Sequence, residues 1–198
     1  MRSAALPLFV PVPVLVLVLV LVHVHLRVRV FVSVPDRARE RPRRAGLMSR
    51  IDLTTRVRAP IDRVFDLARD LDFHQRSMKH TGERIVGGKS GGLIELGEEV
   101  EWEASHFGMK LRLRSKITDM DRPRLFVDEQ VKGAFAGFVH RHLFATDGDV
   151  TVMTDHWVHR APLGPLGNLA DVMFLSRYMK RLLETRNAEL KREAEQPR

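Results

Sequence analysis

From residue 48 onward, apolar and polar positions fall into short periodic runs, and each run predicts an element. Ile51, Leu53, Thr55 and Val57 alternate with Asp52, Thr54, Arg56 and Arg58, the pattern of a half-buried strand. Ala59-Pro60 then sets a proline at the first turn of a helix, where its missing N–H costs nothing. Ile61, Val64, Phe65 and Ala68 follow at i, i+3, i+4 and i+7, with Leu71 extending the stripe, so an amphipathic helix runs to about Asp70. Leu71 to Thr81 reads as a short second helix or a capped loop.

A long strand-rich region comes next. Arg84–Val86 is short, and Gly87, Gly88, Gly91 and Gly92 make a loop. These glycines are no phosphate cradle, because no helix opens after them. Val100, Trp102 and Ala104 alternate with Glu99, Glu101 and Glu103; after Phe107-Gly108, Met109, Leu111, Leu113, Ser115 and Ile117 alternate with Lys110, Arg112, Arg114 and Lys116. A hairpin across Phe107-Gly108 sets Trp102 against Leu113, Glu101 against Arg114 and Glu103 against Arg112, so opposite charges meet on the outer face. A solvated sheet face, not a nucleic-acid stripe, follows from that pairing. Further strands are expected at 125–132, 138–145 and 150–160, the last two joined at Asp147-Gly148. Pro162, Gly164, Pro165 and Gly167 end the sheet. Asn168 is placed as the N-cap of a long helix carrying Leu169, Val172, Met173, Ser176, Met179, Leu183 and Leu190 on one side.

Hairpin-linked strands between terminal helices argue for an α+β fold, a curved antiparallel sheet of about seven strands wrapped around the long C-terminal helix. Such a sheet closes incompletely on its helix and leaves an apolar cavity, the place to expect a ligand.

Residues 1–47 do not join this pattern. From Val10 to Val34 every even position is Val except Leu26, and the odd positions run through Pro, Leu, His and Arg before Phe31 and Ser33. Those four residues share codons beginning with C that differ at the middle base, so the segment resembles a drifted six-base DNA repeat. Two readings stand: a mis-called start with the natural one at Met48, which is favoured, or a membrane anchor. As an anchor, Leu6 to Leu26 matches the ~20 apolar residues of a spanning helix. The arginines after it would then leave the body in the cytoplasm, where the first reading also places it.

Charge sharpens the division. The chain of 198 residues carries +8, but residues 1–47 hold eight arginines against Asp36 and Glu40, a net of +6, which leaves +2 for the remainder. The body gives no electrostatic case for nucleic acid. The absence of cysteine excludes disulfides, thiolate metal sites and a cysteine nucleophile.

The element order resembles the START-like superfamily, also called SRPBCC, with its helix-grip fold. The string FVDEQVKG at Phe126–Gly133, the His140-x-His142-x-Phe144 run and PLGPLG at Pro162–Gly167 resemble a bacterial subgroup of ligand-binding or cyclase/dehydrase-like members. The resemblance covers about residues 50–190. It implies a pocket for a small hydrophobic or lipid-like molecule and no cofactor.

Within that frame the chemistry concentrates on one sheet region. Centring the hairpin on Asp147-Gly148 opposes Ala145 with Val150, Phe144 with Thr151, His142 with Met153, His140 with Asp155 and Phe138 with Trp157. His140 and Asp155 then meet on the inner face beside Phe138, Phe144, Met153 and Trp157. A neighbouring strand that sets Gln130 beside His140 and Asp128 beside His142 extends this into a polar row. The plain reading is a satisfied hydrogen-bond network in a β-core, ahead of ligand orientation, and ahead of catalysis with His140 as base and Asp155 orienting it. His140 and His142 at i, i+2, with Asp128 or Asp155 adding oxygen, lack a third spaced histidine, so no metal is expected. Trp102, Leu111, Leu113, Phe144, Met153, Trp157, Val172, Met173, Met179 and Leu183 are core in the plain reading and cavity wall in the ligand reading, joined there by Asp128, Gln130, His140 and His142, and Phe135 with Phe138 is the candidate lip. Three functions remain: binding of a small hydrophobic molecule, a polyketide cyclase/dehydrase-like enzyme, and a protein-interaction module.

Overall fold

The structure is a computed structural model and describes residues 48–106, 108–161 and 174–197. The readings of residues 1–47, of the Asn168 cap and of Val172 and Met173 lie outside the described residues. No helix among the described residues is long and apolar enough to cross a membrane.

Seven strands form one antiparallel sheet: β1 (Met48–Val57), β2 (Arg84–Gly88), β3 (Glu99–His106), β4 (Met109–Asp121), β5 (Leu125–Lys132), β6 (Gly137–Asp147) and β7 (Val150–Arg160). Their order across the sheet is β1-β7-β6-β5-β4-β3-β2. Register shifts between Ile85 and Gly87, and at two points in β4, mark irregularities of the kind that bend a sheet. Helices α1 (Ile61–Ala68) and α2 (Leu71–Ser77), with a 3-10 turn at Lys79–Thr81, bridge the edge strands β1 and β2, and α3 (Ser176–Ala194) packs against β1, α1 and α2.

The first predicted helix stops earlier than its apolar stripe. Asp70 breaks it by capping the next one, its carboxylate accepting from the N–H groups of Asp72 at 2.8 Å and Phe73 at 3.1 Å. Beneath the closed half of the sheet Phe65 meets Phe126 and Phe144 edge-on, at 5.6 and 5.3 Å between centroids, over fully buried Val57, Val64, Met153 and Leu190. That packing fills one end of the grip, and the other end stays open as a cavity.

The β3–β4 register is the predicted one: Trp102 faces Leu113, Glu101 faces Arg114 and Glu103 faces Arg112. Glu103 receives Arg84 at 2.7 Å and Arg112 at 3.0 Å, and Arg114 reaches Glu101 at 2.6 Å, so the arginines of this face are paired.

Two registers differ from expectation, each by two residues. In β6–β7 the turn is Gly148-Asp149, with Gly148 at φ +62, and Asp147 pairs directly with Val150. A tight two-residue loop led by glycine replaces the four-residue loop implied by centring the turn on Asp147-Gly148. His142 therefore faces Asp155 and His140 faces Trp157. In β5–β6, Asp128 faces His140 and Phe126 faces His142, while Gln130 pairs with Ser115 of β4. The intervening loop is tied down by Ala136 N–H donating to Arg160 O at 2.9 Å and by the Gln130 amide donating to Phe135 O at 2.9 Å. A shift of two preserves which face each side chain occupies, so the polar row survives both corrections.

Candidate functional site

The open end of the grip holds a cavity of roughly 240 Å³. Its walls are largely apolar. Trp102, Leu111, Leu113 and Trp157 come from the sheet, Phe135 and Phe138 from the loop end of β6, and Met179 and Leu183 from α3. Phe138 stacks on Trp157 at 4.3 Å, and Phe135 closes on that pair edge-on. Alternation along the strands aims these side chains inward, and the i, i+4 spacing of Met179 and Leu183 puts both on the facing side of the helix.

Of the residues singled out in the sequence, Asp128, His140 and His142 also line the cavity. Phe144 and Met153 do not. They lie deeper, in the packed core. Gln130 is turned into the loop, bonded to Phe135 O, and does not reach the cavity wall. Asp155 is wholly buried behind the histidines, with no cavity surface of its own.

Asp155 organises the polar wall. Its Oδ1 lies 3.0 Å from His140 Nε2 and 2.7 Å from His142 Nδ1, the second off the line of a good hydrogen bond. Its Oδ2 accepts from Asn187 Nδ2 of α3 at 2.6 Å, and the same amide reaches Thr55 Oγ1 of β1 at 3.3 Å. On the cavity side Asp128 Oδ1 lies 3.2 Å from His142 Nε2 and 3.7 Å from His140 Nδ1. Burial pushes the Asp155 carboxyl up, but the hydrogen bond with His140 and the close His142 ring outweigh it and hold it well below its ordinary range. Asp128 follows the same balance through His142 and His140. Burial depresses both rings; the two carboxylates raise His142 above its ordinary value, while His140, beside that ring, stays below. Donors of three of these residues, Asp128, His140 and His142, lie within 4.8 Å of one another, close enough for one metal ion.

A second polar group lines the cavity and was not read from the sequence. His74 of α2 stacks on Trp102 at 4.5 Å, and its Nε2 lies 3.3 Å from Glu83 Oε2. His106 Nδ1 lies 2.7 Å from the Tyr178 hydroxyl. Burial drives the Glu83 carboxyl up, but His74, His106 and Arg186 around it bring it below its ordinary value. Burial drives His106 down despite Glu83, and raises Tyr178. Between the groups stands Arg186, 6% exposed, whose Nη2 donates to Ala68 O at 2.5 Å. Its Nε and Nη1 have no hydrogen-bond partner among the described residues. The signal for Arg186 and Asn187 was available: they sit between Leu183 and Leu190 in the apolar stripe of the last helix, where a polar residue is buried.

The family model described as polyketide cyclase/dehydrase and lipid transport matches residues 48–195. No curated protein sequence matches the chain. Among solved structures, TTHA0849 from Thermus thermophilus is similar at 18% identity and TM-score 0.61, over 74% of this chain and 97% of that one. Major latex-like protein 151 from Panax ginseng shares 16% identity at TM-score 0.56, over 77% and 100%. The di-domain ARO/CYC StfQ of the steffimycin biosynthetic pathway shares 12% at TM-score 0.60, over 75% of this chain and 52% of its own two-domain length. At these identities the likeness is one of fold.

Proposed function

Because the chain belongs to the polyketide cyclase/dehydrase and lipid transport family, we propose that it binds a small apolar molecule with an oxygen-bearing head in the cavity between sheet and α3. The observation that carries this is Arg186, buried among apolar walls with two donor nitrogens unmatched among the described residues. An unsatisfied buried donor costs on the order of 1–3 kcal/mol, more when charged, and a ligand carboxylate or carbonyl relieves it. The apolar body of such a ligand gains from contact with Trp102, Leu113, Trp157 and Met179.

The test is direct. The purified full chain is extracted for mass spectrometry, then titrated with fatty acids, isoprenoid acids and their methyl esters while its thermal transition is followed. Acids that raise the transition more than their esters support the reading. No co-purifying molecule and no shift across the panel overturn it.

A second reading, cyclase/dehydrase-like turnover in the same cavity, is favoured by one observation. Asp155 engages Nε2 of His140 and leaves its Nδ1 on the cavity side, the arrangement of an oriented general base. Unchanged turnover of an identified substrate in His140→Ala removes it.

A further inference from the structure

We infer that Asp128, His140 and His142 form a binding site for a divalent transition-metal ion, opening onto the ligand cavity. In the sequence the two histidines could draw an oxygen ligand from Asp128 or Asp155 and had no third spaced histidine; the fold selects Asp128 as the third ligand. The antiparallel pairing of β5 with β6 puts Asp128 directly opposite His140, with the Phe126–His142 pair two positions further along the ladder. The fold thereby gathers two imidazole nitrogens and one carboxylate oxygen on a single wall.

The distances fit an ion. Metal–nitrogen and metal–oxygen bonds of about 2.0–2.2 Å place neighbouring ligands of a tetrahedral ion about 3.3–3.6 Å apart. Asp128 Oδ1 lies 3.2 Å from His142 Nε2 and 3.7 Å from His140 Nδ1. All three ligand atoms lie within 4.8 Å of one another, so the His140 ring has to turn inward to complete a tetrahedral set. All three residues have cavity surface, so the remaining coordination positions face the space where a ligand sits. Two imidazoles and one carboxylate with open positions suit zinc or ferrous iron better than calcium or magnesium, which prefer oxygen.

The surroundings carry the inference further than the three ligands do. Metal-bound histidines nearly always engage a carboxylate or carbonyl through the other ring nitrogen, which fixes tautomer and orientation. Here one buried carboxylate serves both rings: Asp155 Oδ1 approaches His140 Nε2 and His142 Nδ1, the nitrogens pointing away from Asp128. A proton on His140 Nε2 donates to Asp155 and leaves the Nδ1 lone pair on the Asp128 side. His142 Nε2 meets the same Asp128 oxygen at 3.2 Å, the contact in which an ion would take the place of the ring proton. Asn187 in turn holds the other oxygen of Asp155, so the support is braced by α3. Two carboxylates, Asp128 and Asp155, face the two rings, and the Arg186 guanidinium lines the same cavity.

The test uses the full chain, tag-free and stripped with a chelator. It is titrated with Zn2+ alone by calorimetry and with Co2+ followed by visible absorption. About one ion per chain is expected. Asp128→Asn and His142→Ala should abolish uptake. Asp155→Asn, which touches no metal, should weaken it by about 10- to 100-fold. His156→Ala, on the opposite face of β7, should leave it unchanged. A wild-type chain that takes up no Zn2+, or variants that take it up like wild type, overturn the site. Should the variants not fold, zinc-edge X-ray absorption of the loaded wild-type chain decides: a shell with about two imidazole nitrogens supports the site, and a shell without imidazole overturns it.

Discussion

His142 stands directly opposite Asp155 across the β6–β7 ladder, and its Nδ1 lies 2.7 Å from the carboxylate whose other oxygen is held by Asn187. That carboxylate has no exposed surface and is the common partner of both histidines and of α3. Removing one member of a buried charged network leaves the others uncompensated. Asp155→Ala is therefore expected to lower unfolding free energy by about 3–5 kcal/mol, read from urea midpoints at neutral pH. A loss below about 1 kcal/mol, the scale of an exposed ion pair, would show that Asp155 is not the keystone described.

Acidification should weaken the open end of the grip. His106 is held below 6.5 by burial, and Glu83 below 4.5 by its neighbours His74, His106 and Arg186 after burial has pushed it up. The other groups around His106 are His80 and Tyr178. Both folded-state values are depressed, so each contribution is present above the unfolded value and lost as pH falls through the folded one. His106→Gln should lose less stability than wild type between about pH 7 and pH 5. Parallel urea midpoints for the two chains across that interval would count against the assignment.

The strand alternation and the helix stripes in residues 48–198 were enough to give the layer order. The reason is physical: a face of Val100, Trp102 and Ala104 opposite one of glutamates admits a single orientation on the core. The β3–β4 register was legible because opposite charges specify it. The β6–β7 register was not, since Asp147-Gly148 is compatible with more than one loop length and the side-chain faces repeat every two residues. The error left His140 and Asp155 on one face but exchanged who stands opposite whom. The members of the site that the sequence did not yield are those that no periodic pattern marks. His74 and Glu83 meet across the short connection from α2 to β2, which has no strand or helix repeat of its own, and Tyr178 meets His106 only because α3 closes over the sheet. Phe144 and Met153 read as cavity wall because core and wall share a sheet face, and only their depth separates the two.

Arg186 tests the polar end of the proposed ligand. Arg186→Met keeps an unbranched apolar stem in place of the guanidinium. Affinity for a fatty acid should fall at least about tenfold, about 1.4 kcal/mol, while affinity for the corresponding methyl ester changes less. The measurement is a pair of titrations on each chain. Equal losses for acid and ester would mean that Arg186 shapes the wall without selecting the head.

Leu113 tests the cavity itself. It faces Trp102 across β3–β4 and lies at the cavity wall, half-buried against the Phe138–Trp157 stack. A space of roughly 240 Å³ can take an indole ring in place of a leucine, and enlargement into existing space avoids the cost of about 1–3 kcal/mol for overpacking a filled core. Leu113→Trp should therefore keep its urea midpoint near that of wild type and lose most of its capacity for apolar ligands. The same change made where packing is solid, Met153→Trp, should instead unfold or strongly destabilise the chain, because Met153 has no exposed surface and its neighbours include Phe144 and Phe126. The contrast between the two variants separates a true cavity from a loosely filled core. A Leu113→Trp chain as unstable as Met153→Trp would remove the cavity from the account. One that binds ligand undiminished would move the ligand elsewhere.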